Sequence, residues 1–464
     1  MAMGARENEQ QELWVATQDL PKSPGHPFYE RLNRILSEAG FDRKVESWCE
    51  PYYAKAGRPS IPPGVYFRML LIGYFEGIGS QRGIAWRCQD SLSLKSFLGM
   101  GVTGSSPDHS SLTYIRKRLP LEVHQRVFVF VLEIAEKKGL LKGRTVAVDA
   151  TTLEANAAMK TIIHKHTGED WKEYLERLAK EEGIEDPSDE DLRRYDRKRK
   201  DKKVSNQEWA SPTDHDSRIT KMKDGRTHLA YKAEHAVDVD SDIVVSAAVY
   251  HADEGDASTL LPTVVEAQVN LTLSGSGAEI EDVVADKGYH KTETLVELEN
   301  WGLRTYIPEK RKIRRRKWND KPERHQAVYR ANCRRTKGKR GKALQRKRSE
   351  LPERSFAHIC ETGGARRTWL RGLRDINKRY LIQVAARNLG VILRQLCGVG
   401  TPRSLQKQAN TIKPAFLGPV WVRLRLWWTW VFPIRPIADL LESRWLTETS
   451  RFQALKLMTS STGC

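Results

Sequence analysis

The sequence predicts an all-helical region followed by a mixed α/β sheet covered by helices, and three observations carry that prediction. From about Pro27 to Leu141 apolar residues recur at helical spacing, in YFRMLLIGYFEGIGSQRGIAWRC and again in HQRVFVFVLEIAEKKG. Beyond Arg144 the pattern turns to strands, with RTVAVDATTLEA and, after a long charged interruption, HLAYKAEHAVDVDSDIVVSAAVYH. Helix-like and strand-like stretches then follow in turn: ASTLLPTVVEAQVN, an apolar strand running into EDVVADKGYH, then KTETLVELENWG and RTYIPEK.

The helical region is punctuated by GRPSIPPG and by SSPDHSSLTYIRKRLP, in which Ser or Asp can cap a short helix carrying Arg116, Lys117 and Arg118. Short capped helices with basic residues suit DNA reading by a helix-turn-helix, and equally suit a helical bundle with a solvated basic face. In the sheet region the long strand pair predicts a hairpin turning near Asp240 and Ser241. Two charged insertions interrupt it. Residues 165–226 are rich in Lys, Glu, Asp and Arg with few apolar positions, which predicts a solvated helix and loop, or disorder, with little core. Residues 310–348 form the most basic block, including Arg314, Arg315, Arg316 and Lys317, placed to follow a phosphate backbone. Within it Trp318 and Tyr329 could stack on unpaired bases or simply pack. The stretch ERSFAHICETGGARRTWLRGLRDINKRYLIQVAARNLGVILRQL reads as two helices separated by Gly-Gly, the second amphipathic from Ile376 to Leu396. The expected organisation is a polar N-terminus at 1–26, a helical DNA-binding domain at 27–141, a catalytic domain at 142–398 and a C-terminal tail at 399–464.

The 464 residues allow two or three domains, and 78 Lys plus Arg against 59 Asp plus Glu give a formal charge of +19, which points to a polyanionic partner. The six cysteines are scattered, without CxxC pairs or zinc-finger spacing, so a reducing cytosol is expected. The polar N-terminus predicts no export signal. The tryptophan-rich Ala415 to Ile434 stretch contains Arg423, Arg425 and two prolines, which argues against a membrane span and for a docking segment.

Two acids stand out. Asp149 is flanked by apolar and β-branched residues in a strand that would otherwise be buried, where an unpaired carboxylate is costly. A metal ion would offset that cost, and so would a buried ion pair. Asp286 stands where the apolar run VVA gives way to Lys287, Gly288 and Tyr289, a strand end of the kind where ligands gather; the alternative is a turn-capping acid. Phosphodiester transfer without a covalent intermediate needs converging hard oxygen donors for divalent ions, which such acids supply. Tyr289 and His290 could instead suggest a tyrosine nucleophile, but isolated acids at strand ends are the more informative pattern. His228, His235 and His251 lack metal spacing, which predicts surface or packing roles.

The pieces GRPSIPPGVYFRMLLIGYFEGIGSQRGIAWRC, SSPDHSSLTYIRKRL, VAVDATTLEANA, HLAYKAEHAVD, VVADKGYH and ERSFAHICETGGARRTWLRG, in that order, resemble a bacterial insertion-sequence transposase of the DDE class. The resemblance spans roughly Pro27 to Leu396. It implies a split RNase H-like catalytic domain, two Mg²⁺ ions with Mn²⁺ able to substitute, and double-stranded DNA at the element ends and target as partner. It also implies a homodimer in the DNA complex, no membrane, and a cytoplasmic, nucleoid-associated location. Its metal-binding and catalytic triad corresponds to Asp149, Asp286 and Glu353. Arg348, Arg354 and Phe356 fit the surroundings of the family's Glu, Cys360 stands where the family has Lys, and Glu350 competes because it follows Arg346 at the family's spacing. Pro352 predicts that Glu353 opens its helix. Lys287 and Arg354 are placed to contact the scissile strand or to be solvated. Rival readings are a related nuclease that cuts without rejoining and a catalytically silent DNA-binding derivative.

Overall fold

The computed structural model describes residue 16 and residues 26–57, 60–200, 202–222, 224–309, 318 and 321–408. The chain divides into Met1–Pro402 and Arg403–Cys464. The first unit is described below; of the second, only the end of the helix Pro402–Gln408 is described. Arg314, Arg315, Arg316 and Lys317, and the Ala415 to Ile434 stretch, lie outside the described residues.

The helical region comprises α1 (Pro27–Glu38), α2 (Phe41–Cys49), α3 (Pro63–Glu76), α4 (Gln81–Asp90), α5 (Leu92–Phe97), α6 (His109–Arg118) and α7 (Leu121–Lys137). Side chains set several of the starts: Ser80 accepts from the amide of Gly83 at 3.1 Å, and Asp108 from that of Ser110 at 2.8 Å.

The sheet is built from β1 (Thr145–Glu154), β2 (Arg218–Lys221), β3 (Thr227–Asp238), β4 (Val244–His251), β5 (Asp282–Ala285) and β6 (Arg304–Tyr306). β3 pairs antiparallel with β1 and, on its other edge, with β4 and β2. β1, β5 and β6 run parallel. This mixed order, with the hairpin on one side of β1 and parallel strands on the other, is that of an RNase H-like domain. The hairpin turns through 239–243, as the sequence predicts, and Asp242 takes the left-handed conformation there (φ 61°).

Helices cover both faces. One face carries α10 (Asp256–Leu273). The other carries α13 (Lys339–Ala357) and α14 (Leu373–Cys397), while α11 (Thr292–Asn300) and α12 (Glu323–Lys337) flank β6. α14 packs against β4 on one side and against α3 and α7 on the other, so the helical region and the sheet share one core.

Four expectations need correction. The stretch Ile376 to Leu396 is not amphipathic: α14 is buried nearly all round because the sheet lies on one side and the helical region on the other. The 165–226 insertion has a small core of its own. α8 (Trp171–Glu181) opens with an Asp170/Glu173 capping box and packs on α9 (Asp189–Lys198), while the Tyr174 ring stacks on His164 at 4.0 Å beside the edge of Trp209. The 310–348 block supplies α12 and the first half of α13, and its charges are partly used inside the fold. Arg340, with Arg304, neutralises the buried Asp282, and Arg335 donates to the Thr305 carbonyl at 3.0 Å. Pro352 lies inside α13, so Glu353 does not open that helix. The missing Pro352 amide sacrifices one bond of the helical ladder, which the packing of Leu351, Ser355 and Phe356 outweighs.

Two buried histidines give the fold a pH dependence. Burial pushes the His124 imidazole down to about 4 and holds His235 well below the usual histidine range. The folded chain therefore binds fewer protons at these rings than the unfolded chain. Their stability contribution is complete above about pH 6.5 and is lost as the pH falls toward 4. From His124 alone the expected loss at pH 5 is about 2 kcal/mol. Thermal melts at pH 7.5 and 5.0 should differ by a few degrees, and His124→Gln should narrow that difference; an unchanged difference would refute the assignment.

Candidate active site

The parallel ladder between β1 and β5 ends at the pair Val148 and Ala285. The next residue on each strand is Asp149 and Asp286, so the two acids stand side by side on neighbouring strands, about 5 Å apart at the backbone. Ala147 and Val148 before the first, and Val284 and Ala285 before the second, are fully buried, which fixes both strands; β5 ends there, while β1 continues along β3 to Glu154.

Asp149 pairs in register with His235 on β3 and therefore shares its face. His235 has no exposure; Ser355 Oγ lies 2.8 Å from its Nδ1, Tyr380 Oη 2.8 Å from its Nε2, and Phe356 stacks on its ring. Its role is packing, and it docks α13 over β1. That docking brings Arg348 Nη2 to 3.5 Å from Asp149 Oδ2.

Asp286 caps the turn Lys287–Tyr289, its Oδ1 accepting from the Gly288 amide at 2.5 Å. A Cβ on Gly288 would fall 2.6 Å from Asp256 Oδ2 and 2.7 Å from Asp286 Oδ1, so two carboxylates face each other across a position only glycine can fill. Asp256 Oδ1 is held by Lys232 Nζ at 2.9 Å, and the same nitrogen lies 3.3 Å from Glu234 Oε2 and donates to Thr259 Oγ1 at 2.8 Å. Glu234, with no exposure, accepts from Thr259, Thr263 and the Tyr289 hydroxyl at 2.7, 2.5 and 2.9 Å. Burial, then the negative charges of Glu234, Asp256 and Asp149, push the Tyr289 hydroxyl well above its ordinary value. A proton-holding, buried Tyr289 is a poor nucleophile, which removes the tyrosine alternative on this structure.

The buried Lys232 and Glu234, with the part-exposed Asp256, form a support for the Asp286 turn that the sequence reading missed. Its signal was available: a Lys and a Glu two residues apart on an otherwise apolar strand share one face and need partners there.

Glu353 is exposed on α13, and no group of three His, Cys, Asp or Glu side chains among the described residues lies close enough to hold a metal ion. The structure thus brings Asp149 and Asp286 together and does not bring Glu353 to them. Glu350 is 61% exposed and paired with Arg354, which also reaches Asp242 at 3.4 Å.

The other basic candidates divide. Lys287 is exposed beside Asp286, and Lys117 and Arg118 are exposed at the end of α6, with the Arg118 guanidinium 4.6 Å above the Tyr53 ring. Arg116 is a correction: it is buried, donates to Asp375 at 3.0 Å, and its carbonyl accepts from Lys378, so it ties α6 to α14 instead of facing solvent. Tyr329 packs between His290 and Trp318 and donates to Glu309, a structural use of both aromatics.

The model of the family described as Transposase DDE domain matches residues 141–389, more than half of the chain. The chain belongs to the DDE transposases. A second family model, Transposase domain (DUF772), matches residues 17–118 of the transposase and so covers the helical region up to the end of α6. No curated protein and no solved structure matches the transposase. Membership makes DNA transposition its activity, DNA its substrate and divalent metal ions its cofactors in general terms. No helix among the described residues is long and apolar enough to cross a membrane.

Proposed function

We propose that this transposase binds the ends of its element, cleaves them and joins the freed 3′-hydroxyl ends to target DNA, with Asp149, Asp286 and Glu353 as its catalytic carboxylates. The observation that carries the reading is the pair Asp149 and Asp286 side by side on adjacent parallel strands, just past the last pair between them. Around that pair stand the carboxylates of Asp149, Asp286, Asp256 and Glu234 with the cations Arg348, Lys232 and Lys287, and the carboxylate donors are hard oxygens. Such a set fits Mg²⁺ or Mn²⁺.

Asp149 and Asp286 would hold one ion between them and Glu353 would help hold a second. Two bound ions supply a deprotonated water or 3′-hydroxyl as nucleophile and charge stabilisation at the phosphate. The residues of the chain do the rest. Ser355, Phe356 and Tyr380 fix His235 and thereby seat α13 over β1, and the Lys232 network holds the Asp286 turn. Arg348 balances Asp149 and is positioned to turn to a DNA phosphate once a metal ion replaces it.

Helical geometry supports Glu353 as the third carboxylate. Lys347 and Arg354 reach Asp240 and Asp242 at the hairpin turn, which lies beside the start of β1. Glu353, one residue before Arg354, lies about 100° around the helix from it, on the flank toward the other end of β1 where Asp149 and Asp286 stand. A modest adjustment of α13 on DNA and metal binding would complete the site. We assign Lys117, Arg118, Lys287 and Arg354, with the basic segment Arg314 to Lys317, to DNA contacts, and a homodimer to the DNA complex, since two ends must be joined.

The test incubates the full chain with oligonucleotides copied from the DNA flanking its gene, with Mg²⁺, with Mn²⁺ and with chelator. The wild type should nick and join only with metal, and Glu353→Gln should lose about a hundredfold or more in cleavage, whereas Glu350→Gln stays near wild type. Binding without cutting by the wild type would sink the enzymatic reading. Cutting by Glu353→Gln but not by Glu350→Gln would move the third ligand to Glu350.

A further inference from the structure

Among the described residues no strand pairs the β5 edge of β1 between Val148 and Glu154, where a second segment takes it. The Glu154 amide donates to the Arg366 carbonyl at 3.0 Å and the Thr368 amide to the Glu154 carbonyl at 2.8 Å, a parallel bridge between Glu154 and Arg367. Even-numbered residues of β1 direct their backbone groups to this edge: Val146 and Val148 pair with β5, while Ala155 bonds to Leu229 on β3. Asp286, level with Asp149, and Arg367, level with Glu154, therefore lie on the same side of β1, separated by five residues of strand, about 17 Å. Among the described residues no strand pairs the edge between them, and Asp149 to Thr152 are only part-buried.

The far wall of this groove is the loop between α13 and α14. It is held firmly: Asn156 Nδ2 donates to the Trp369 carbonyl at 3.2 Å, Arg371 Nε to the Asn156 carbonyl at 3.3 Å, and the Gly372 amide to Asp214 at 3.0 Å. On this rigid backbone Arg366, Arg367 and Arg371 are exposed, and the Trp369 side chain between them is 57% exposed. The Trp369 ring does not swing freely, because its Nε1 edge lies against Gly79 at the turn between α3 and α4, where a Cβ would come within 2.5 Å. An indole clamped at one edge, more than half exposed and flanked by Arg371, by Arg366 paired with the exposed Glu361 and by Arg367 at 4.0 Å from Glu154 is a platform for a nucleobase whose phosphates would take over these surface pairs.

We propose that the Arg366 to Arg371 loop grips the DNA strand leaving the catalytic pair, with Trp369 stacking on a base about five nucleotides from the scissile phosphate, as the 3.4 Å rise of a duplex strand sets over this distance. The inference rests on the reading that the Asp149 and Asp286 pair cuts DNA.

The test uses the full chain and a duplex of about 40 base pairs copied from the element terminus, with 2-aminopurine placed in turn at successive positions from the cleavage point. Wild type should change the fluorescence most at positions about four to six. Trp369→Ala should abolish that signal and weaken binding about tenfold, while Trp369→Phe keeps both in large part. Arg366→Ala with Arg371→Ala should lower the salt dependence of binding by about two phosphate contacts. Thermal melts check that each variant folds. If wild type cuts this duplex and Trp369→Ala leaves the fluorescence pattern unchanged, the loop assignment is wrong while the catalytic reading stands. If wild type shows no metal-dependent cutting, the catalytic reading fails and takes the assignment with it.

Discussion

Asp149→Asn and Asp286→Asn should each reduce strand cleavage at least about a thousandfold, a loss of about 4 kcal/mol of transition-state stabilisation. DNA binding should stay within about twofold of wild type. The size of the effect follows from position: each acid is the first residue past the last pair between β1 and β5, and Asp149 stays paired with His235 on β3, so neither can be replaced by a neighbour without breaking a ladder. An amide keeps the shape and the hydrogen bond that Asp286 accepts from Gly288 but removes the charge that attracts a divalent ion. The two measurements are cleavage of labelled duplex across a Mg²⁺ and Mn²⁺ titration and binding in chelator. Retained cleavage in either variant would remove that residue from the catalytic set, and equal loss of binding and cleavage would point to misfolding.

Lys232→Met should be the most destabilising single change near the site. It strands the fully buried Glu234 without its cation and frees Asp256 to repel Asp286 across Gly288. Breaking a buried pair from one side costs about 3–5 kcal/mol, so the melting temperature should fall clearly and cleavage with it. The double variant Lys232→Met with Glu234→Gln separates two roles. It should recover a large part of the stability, because no buried charge is left alone, and little of the cleavage, because Asp256 and the Asp286 turn remain unheld. A single variant that melts like wild type would mean that the network does not support the fold.

Much of this was legible in the sequence. The alternation around Asp149 and in HLAYKAEHAVD predicts the strands, helical spacing predicts the N-terminal region, and the separated motifs in order identify the family, because each depends on local periodicity or chain order. The same local information places Asp286 at a strand end and Asp149 on an apolar strand; Asp149 is not at an end, because pairing with β3 carries β1 on to Glu154. What periodicity cannot supply is which faces become covered. Ile376 to Leu396 reads as amphipathic, yet its polar residues find partners inside: Asn377 bonds to both the amide and carbonyl of Val249, and Asn388 does the same for Val244. Arg116 reads as a DNA contact from its basic neighbours, and only the approach of α14 turns it to Asp375. The charged insertion reads as solvated because its apolar residues are sparse, yet Tyr174, Leu192 and Trp209 meet through folding rather than through spacing.

Local sequence therefore determined the order of elements, the family and the two acids on apolar strands, since these are properties of neighbours along the chain. The tertiary structure decided the pairing of Asp149 with Asp286 in register, the Lys232, Glu234 and Asp256 support beneath them, and the Arg366 to Arg371 loop set on the same edge of β1. Each of these joins residues distant in the chain, and packing and charge burial, not local propensity, select such contacts.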